Sequence, residues 1–165
     1  MALVLGTNTY VTMVEADAYF DTRIDAGAWI NADDDDQESA LVTATLLLDE
    51  NQFIGVAVSS TQSLAWPRKD ALYFDPKLGM EKSVTTETYP KQVKVATFEM
   101  ALHLLTNENL LDNKTQTFER IKVGSIEIED STKDVLKIPV LPLRIKKLLS
   151  PLLVNGSGKQ WWRAN

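Results

Sequence analysis

The chain has 165 residues, of which 44% are hydrophobic and 24% are charged, a composition typical of one soluble globular domain rather than of a disordered polypeptide. It contains no cysteine and one histidine, which excludes disulfides, thiolate nucleophiles, cysteine-bound zinc and multi-histidine metal sites. It has no apolar run of about 18 residues and no basic, cleavable start, so we predict neither a membrane span nor a signal peptide and expect a cytosolic protein.

The charge of the chain is unevenly distributed. Residues 1–132 carry 22 acidic and 10 basic side chains, a net charge of −12, whereas residues 133–165 carry seven basic and one acidic side chain, a net charge of +6. We therefore expect the body to repel nucleic-acid phosphates, and the carboxy-terminal fifth to be attracted to an anionic surface of protein or DNA.

Helical patterns dominate the amino-terminal part of the chain. Thr12 and Glu15 form a capping-box pattern ahead of an amphipathic helix predicted over residues 13–24. The four aspartates at 33–36 precede a second helix, at whose N-terminus the macrodipole stabilises negative charge. A calcium loop would need a glycine turn and a distal bidentate glutamate, so we interpret this run as a helix start.

The segment from 51 to 80 predicts short extended pieces and turns, and it contains the most specific motif of the chain, Leu64-Ala65-Trp66-Pro67-Arg68. Pro67 excludes Trp66 from the helical region, so the indole is held in extended chain. Trp66 can fill the core of the domain or form a subunit contact, and Arg68 can pair with a carboxylate or stack on a ring. Leu64, Trp66, Pro67 and Arg68 are therefore candidates for a structural or subunit-contact motif.

Three further elements are predicted after this segment. Pro90 is expected to open a central, well-covered helix on which His103 is a polar or hydrogen-bonded residue rather than a catalyst. Residues 118–129 alternate apolar and charged side chains about a glycine turn, which predicts a half-exposed β-hairpin. Pro142 introduces a last amphipathic helix, with one apolar and one basic side. The apolar side comprises Leu143, Ile145, Leu148, Leu149, Leu152 and Leu153, and the basic side comprises Arg144, Lys146 and Lys147.

The end of the sequence combines a linker with aromatic residues. Residues 155–158 have the composition of a flexible linker, and they are followed by Lys159, Trp161, Trp162 and Arg163. Tryptophan and arginine are enriched at interface hot spots, so this tail either docks on another chain or folds back over its own domain.

Together these patterns predict a mainly α-helical bundle with one β-hairpin over residues 1–154, and a flexible, extended C-terminal docking tail over residues 155–165. The sequence has no nucleophile elbow, no phosphate-binding glycine loop and no His-Glu-x-x-His motif. We therefore predict no catalytic residue, no cofactor and no metal site, and we do not expect an enzyme.

Several segments resemble the head–tail adaptor (head-completion) proteins of tailed bacteriophages. They are the opening Met-Ala-Leu-Val-Leu with Asn-Thr-Tyr-Val-Thr at 8–12, then residues 15–20 and 40–45, the motif at 62–68, and residues 89–96 and 122–129. The resemblance covers most of the chain, and its most specific parts are the opening and the Trp-Pro-Arg motif.

The resemblance implies a structural virion protein that forms a dodecameric ring beneath the portal. Its partners would be other copies of itself, the portal protein, a downstream tail or stopper protein, and genomic DNA that passes through the channel without specific binding; no membrane is implied. It would lie in the virion neck, after assembly in the host cytoplasm. The tail residues Lys159, Trp161, Trp162 and Arg163 would dock on the portal.

Proteins of this group also carry the description of a DnaT-like single-stranded DNA-binding protein, which implies a replication accessory function. Such a protein needs a basic groove with stacking aromatic rings. An acidic body suits a channel through which DNA slides without sticking, so we predict the adaptor and keep single-strand binding as the alternative. A stopper or tail terminator fits the composition but not the order of the motifs.

Overall fold

Five α-helices and six short strands lie in the part of the chain that the computed structural model describes, residues 2–75, 77–84, 89–107, 121–123, 126–128 and 141–154. In chain order they are α1 (Met13–Phe20), α2 (Gly27–Ile30), α3 (Asp34–Asp49), β1 (Val56–Ala57), β2 (Arg68–Lys69), β3 (Leu72–Asp75), β4 (Met80–Ser83), α4 (Lys91–Thr106), β5 (Ile121–Val123), β6 (Ile126–Ile128) and α5 (Leu143–Leu149), followed by a 3-10 turn (Ser150–Leu152). The strands form three antiparallel ribbons, β1–β2, β3–β4 and β5–β6.

Helix α1 begins at the predicted capping box. The Thr12 hydroxyl accepts the Glu15 N–H at 3.2 Å, and the Glu15 carboxylate accepts the Thr12 N–H at 3.0 Å. The helix ends at Phe20, before the predicted end at residue 24. The chain then turns into α2, where the ring of Trp29 stacks on that of Phe20 at 4.6 Å.

Helices α3 and α4 form the centre of the molecule. Asp33 is the N-cap of α3 and its carboxylate accepts the Asp36 N–H at 2.8 Å, so the aspartate run is the helix start that the sequence predicts. Helix α4 follows Pro90, which lies at its N-cap. It packs on α3 and also contacts α2 and α5, which explains why apolar residues occur on more than one of its sides.

The prediction of a mainly α-helical bundle with one β-hairpin is wrong. Residues 51–83 contribute two antiparallel ribbons in addition to the helices, so the described chain has a mixed α/β fold. In β3 the buried Tyr73 lies between the exposed Leu72 and Phe74, which is the pattern of a half-buried strand. The strands of these two ribbons have two to four residues each, too few for hydrophobic periodicity to reveal them in the sequence.

The carboxy-terminal part of the described chain returns to its middle. The strands β5 and β6 pair within the segment for which a hairpin was predicted. After α5 and the 3-10 turn, the Val154 N–H donates to the Gln52 carbonyl and the Ile54 N–H donates to the Leu152 carbonyl, both at 2.9 Å. Leu143, predicted on the apolar side of the last helix, is instead exposed, because it lies in the first turn before α5 reaches the core.

Candidate functional site

Trp66 lies in the core of its own chain. Its side chain is fully buried, with an exposed fraction of 0%, and its ring meets the edge of Phe53 at a centroid distance of 5.6 Å. Leu64 is buried as well, and the peptide bond between Trp66 and Pro67 is cis. Of the two interpretations of this indole, core residue or subunit contact, the structure supports the core.

A buried tyrosine and an aspartate hold the chain in front of Pro67. The Tyr10 hydroxyl donates to the Asp49 carboxylate, and that carboxylate also accepts the Ala65 N–H at 2.9 Å. The Trp66 N–H donates to the Tyr10 hydroxyl at 3.3 Å. Burial raises the pKa of Asp49, and burial together with the neighbouring carboxylate raises the pKa of Tyr10 well above its usual range. The Tyr10–Asp49 pair joins the amino-terminal segment to α3. Because both residues also bind the backbone of the motif, they hold the motif against that segment and against α3.

The hydrogen bonds of Arg68 go to backbone carbonyls, and its positive charge also acts on the Asp49 carboxylate, where it opposes the rise in pKa that burial causes. The Nε of Arg68 donates to the Ile54 carbonyl at 2.7 Å, its Nη2 to the Gly55 carbonyl at 2.7 Å and its Nη1 to the Ala65 carbonyl at 3.2 Å. The guanidinium fork therefore joins the two chain segments that flank β1. Gly55 has φ +74°, and a Cβ there would lie 2.5 Å from the Lys69 carbonyl oxygen, so this close approach requires glycine.

A second polar cluster surrounds Glu99 on α4. The Glu99 carboxylate, whose residue is buried, accepts hydrogen bonds from the Arg23 guanidinium and the Tyr19 hydroxyl, and Arg144 Nη2 lies 3.2 Å away. Arg23 also pairs with Asp25 at 2.6 Å. Burial alone would raise the pKa of Glu99, but the hydrogen bonds from Arg23 and Tyr19 outweigh it and hold this pKa below its usual range.

This cluster borders a shallow recess that His103, Asn107 and Pro142 also line. The Glu99 carboxylate is already paired with two guanidinium groups, so it links α4 to Arg23 in the segment after α1 and to Arg144 in α5. The described residues contain no group of three or more His, Asp and Glu side chains that could hold a metal ion.

The basic side of α5 is exposed. Ile145 and Leu149 face the core, while Arg144, Lys146 and Lys147 face the surface. Arg144 reaches Glu99, so Lys146 and Lys147 carry the cations available to an external partner. The predicted tail residues Lys159, Trp161, Trp162 and Arg163 lie outside the described residues, and their docking stays a prediction.

Sequence reasoning missed the Tyr10–Asp49 pair and the Glu99 cluster. No local sequence pattern identifies the Tyr10–Asp49 pair, because the two residues are 39 positions apart and neither belongs to a motif in its own segment. The sequence does mark Glu99, since a charged residue within the apolar run of the central helix indicates a buried, paired carboxylate.

The described part of the chain is a small α/β domain. Its internal polar contacts, at Tyr10, Arg68 and Glu99, hold loops and helices against one another. The sequence matches, over residues 2–164, the model of a family described as "Putative DnaT-like ssDNA binding protein". The chain belongs to this family. Neither the curated proteins nor the solved structures provide a match.

No helix in the described part of the chain has both the length and the apolar character needed to cross a membrane.

Proposed function

We propose that this protein is a non-enzymatic head–tail connector, which forms a homo-oligomeric ring under the portal of a tailed phage and continues its DNA channel. The observation that carries the proposal is the charge of the body. Residues 2–50 contain eleven carboxylates and one cation, a net charge of −10, and the aspartates at 33–36 are exposed. DNA would slide past such a surface, because each basic contact would add affinity and slow its passage.

The distribution of aromatic rings also supports an assembly function. Single-strand binders stack bases on exposed rings, whereas Phe20, Trp29, Phe53 and Trp66 are all buried here. In the described residues, Phe74 is the one tryptophan, tyrosine or phenylalanine that is largely exposed. The aromatic residues of the described part thus lie mostly in the core, where they are unavailable for stacking on bases.

The test is electron microscopy of the protein mixed with its cognate portal. A coaxial ring on the narrow end of the portal is the expected result, with twelve copies if the dodecamer is correct. A portal that stays bare at saturating protein would refute the connector.

The tail is tested in the same assay. Deleting residues 155–165 should abolish portal binding and leave the body folded. As a matched pair, Trp161→Ala/Trp162→Ala should weaken binding more than Lys159→Ala/Arg163→Ala, because aromatic anchors dominate interface energies. If the protein without residues 155–165 bound the portal as well as the full chain, the tail would not be what anchors the ring.

Single-stranded DNA binding is the second candidate function, and the description of the family supports it rather than the connector. The structural feature that favours it is the basic face of α5, where Lys146 and Lys147 are exposed. This face would contact phosphates, and it adjoins in sequence a carboxy-terminal segment with two tryptophans that could stack on bases.

Fluorescence anisotropy of a labelled single-stranded oligonucleotide separates the two functions. A single-strand binder should bind at physiological salt, with a log–log salt slope of about −0.7 for each phosphate contacted. Lys146→Glu/Lys147→Glu should then weaken binding and flatten the slope, whereas Lys91→Glu, an exposed cation at the start of α4, should change it little. An absence of binding by the full chain would remove this candidate.

A further inference from the structure

The β3–β4 ribbon exposes two large apolar side chains on one of its sides. Leu72 and Phe74 each have an exposed fraction of 58%, while Tyr73 between them is buried. Because successive residues of a strand project to opposite sides, Leu72 and Phe74 share the side that faces away from the core. Neighbouring exposed apolar side chains of this size are typical of interaction sites.

The register of the ribbon shows which residues of β4 lie on the same side. Leu72 pairs with Ser83 and Phe74 pairs with Glu81, and paired residues project to the same side of an antiparallel ribbon. These four residues, all exposed, are called the outer ribbon face.

The outer ribbon face carries a single charge. That charge is the carboxylate of Glu81, since the neighbouring cation Lys82 pairs with the buried Tyr73 and projects to the opposite side. The face thus combines two apolar side chains with one carboxylate, which lies opposite Phe74. A segment that combines aromatic rings with cations complements such a face in both respects.

The carboxy-terminal tail of this chain has that composition. Residues 155–165, which lie outside the described residues, include two tryptophans and two cations, Lys159 and Arg163, and no acidic residue. Their net charge is therefore +2, opposite in sign to the charge of the outer ribbon face.

The tail also starts close to the ribbon. The 3-10 turn (Ser150–Leu152) contacts β3, and the described chain ends two residues later at the exposed Val154. Trp161 follows Val154 by seven residues, a separation of about 23–25 Å in a fully extended chain and about 13–16 Å on average in a flexible linker. A strand of four residues is about 13 Å long, so the tail has the length to reach the outer ribbon face.

We propose that the tail docks on the outer ribbon face of its own copy. Its two tryptophans would pack on Leu72 and Phe74, and its two cations would lie near Glu81. A short flexible linker gives a tethered segment an effective concentration in the millimolar range, which favours the tail of the same copy over the tails of other copies in solution.

This contact would control when the tail is available to a partner. The proposed connector docks the same tryptophans on the portal, so the ribbon and the portal would compete for them. The competition rests on the proposed connector, whereas the docking of the tail on the ribbon does not.

The absence of cysteine from the chain allows a direct test by cross-linking. Ser83→Cys places a thiol on the outer ribbon face, and Gln160→Cys places one beside Trp161. The double variant is treated with a short bismaleimide in dilute solution, and mass spectrometry follows the 83–160 cross-link. The product should be a cross-linked monomer, formed at a rate that does not depend on protein concentration.

Two further variants show whether the apolar side chains of the ribbon hold the tail. Leu72→Ala/Phe74→Ala should slow the 83–160 cross-link about fivefold while circular dichroism stays unchanged, because it removes the surface on which the tryptophans pack. The matched control is Leu46→Ala on α3, since Leu46 has the same exposed fraction of 58%. This control should leave the rate unchanged.

A charge exchange tests the contact independently, and it serves also if the double alanine variant does not fold. Glu81→Lys should slow the cross-link, because it opposes the cations of the tail. Adding Lys159→Glu/Arg163→Glu to that variant should restore the rate.

Two results would overturn the inference. One is a cross-linking rate that Leu72→Ala/Phe74→Ala lowers no more than Leu46→Ala does. The other is a product that is mainly a covalent dimer and increases with protein concentration, which would mean that the tail docks on a second copy.

Adding the cognate portal separates this inference from the proposed function. A portal that suppresses the 83–160 cross-link supports both. A ribbon-dependent cross-link that the portal leaves unchanged would support the ribbon contact and refute the docking of the tail on the portal. Portal rings from a protein without a ribbon-dependent cross-link would refute the ribbon contact and leave the connector standing.

Discussion

Replacing Arg68 is the sharpest test of how the Trp-Pro-Arg motif stabilises the fold. Arg68→Ala removes three hydrogen bonds from a charged group to the carbonyls of Ile54, Gly55 and Ala65. Hydrogen bonds to charged groups contribute roughly 1.5–3 kcal/mol each, but Arg68 is only partly buried, so water replaces part of that energy. We therefore expect the free energy of unfolding to fall by about 3 kcal/mol.

A lysine at position 68 separates the contribution of the positive charge from that of the planar guanidinium group. Arg68→Lys keeps the positive charge but lacks the planar fork, so it should recover about a third of the loss. Lys69→Ala, the adjacent exposed cation, is the control and should change the free energy of unfolding by less than about 0.5 kcal/mol.

Urea unfolding followed by tryptophan fluorescence measures all three variants, and thermal melting gives a second reading. A loss of 3 kcal/mol corresponds to a decrease in melting temperature of roughly 6–12 °C for a domain of this size. If Arg68→Ala lost less than about 1 kcal/mol, or if Arg68→Lys matched the wild type, the three carbonyl contacts could not be what fixes the motif.

Three further predictions concern buried or crowded positions. Trp66→Ala should lower the free energy of unfolding by about 3–5 kcal/mol because it empties a fully buried site. Trp66→Phe should lower it by less than half as much, since it keeps a ring and removes an indole N–H that has no hydrogen-bond partner among the described residues. Equal losses in urea unfolding would contradict this. Gly55→Ala should cost about 1–3 kcal/mol more than Gly79→Ala, because both residues have positive φ but only at Gly55 does a Cβ meet backbone atoms, and equal melting temperatures would count against it. The pKa of Glu99 lies below its ordinary value of 4.5, so its contribution to stability is complete above that pH and is lost as the pH falls through the folded pKa. Glu99→Gln should therefore flatten the acid side of a plot of melting temperature against pH, and an unchanged slope would show that other carboxylates cause acid unfolding.

Helix starts could be predicted from the sequence because capping is local. Thr12 and Glu15 are three residues apart, and so are Asp33 and Asp36. In each pair the side chain of the first residue accepts a hydrogen bond from the backbone N–H of the second, within one helical turn. The helix that follows Pro90 was predictable for the same reason, since proline suits a helix N-terminus.

The ribbons and the polar clusters could not be predicted in this way. Trp66 and Tyr10 are hydrogen-bonded across 56 residues, and Arg23 reaches Glu99 across 76. Contacts of that kind depend on how the helices pack, which no local pattern encodes. The sequence therefore singles out the motif that contains Arg68 but does not identify the backbone carbonyls that Arg68 binds. In the described part of the chain the motif contributes to the fold, through the buried Trp66 and the hydrogen bonds of Arg68.

The two backbone hydrogen bonds of Ile54 determine how a force on the carboxy-terminal segment would be transmitted into the domain. Its N–H is held by the Leu152 carbonyl and its carbonyl is held by Arg68. A force applied beyond Val154 would therefore reach Ile54 through the paired segments at 52–54 and 152–154, and would pass from there to Arg68 and β2. Residues 152–154 and the Trp-Pro-Arg motif are thus connected in series by hydrogen bonds, so a pull at Val154 would be resisted by the loop that Arg68 holds.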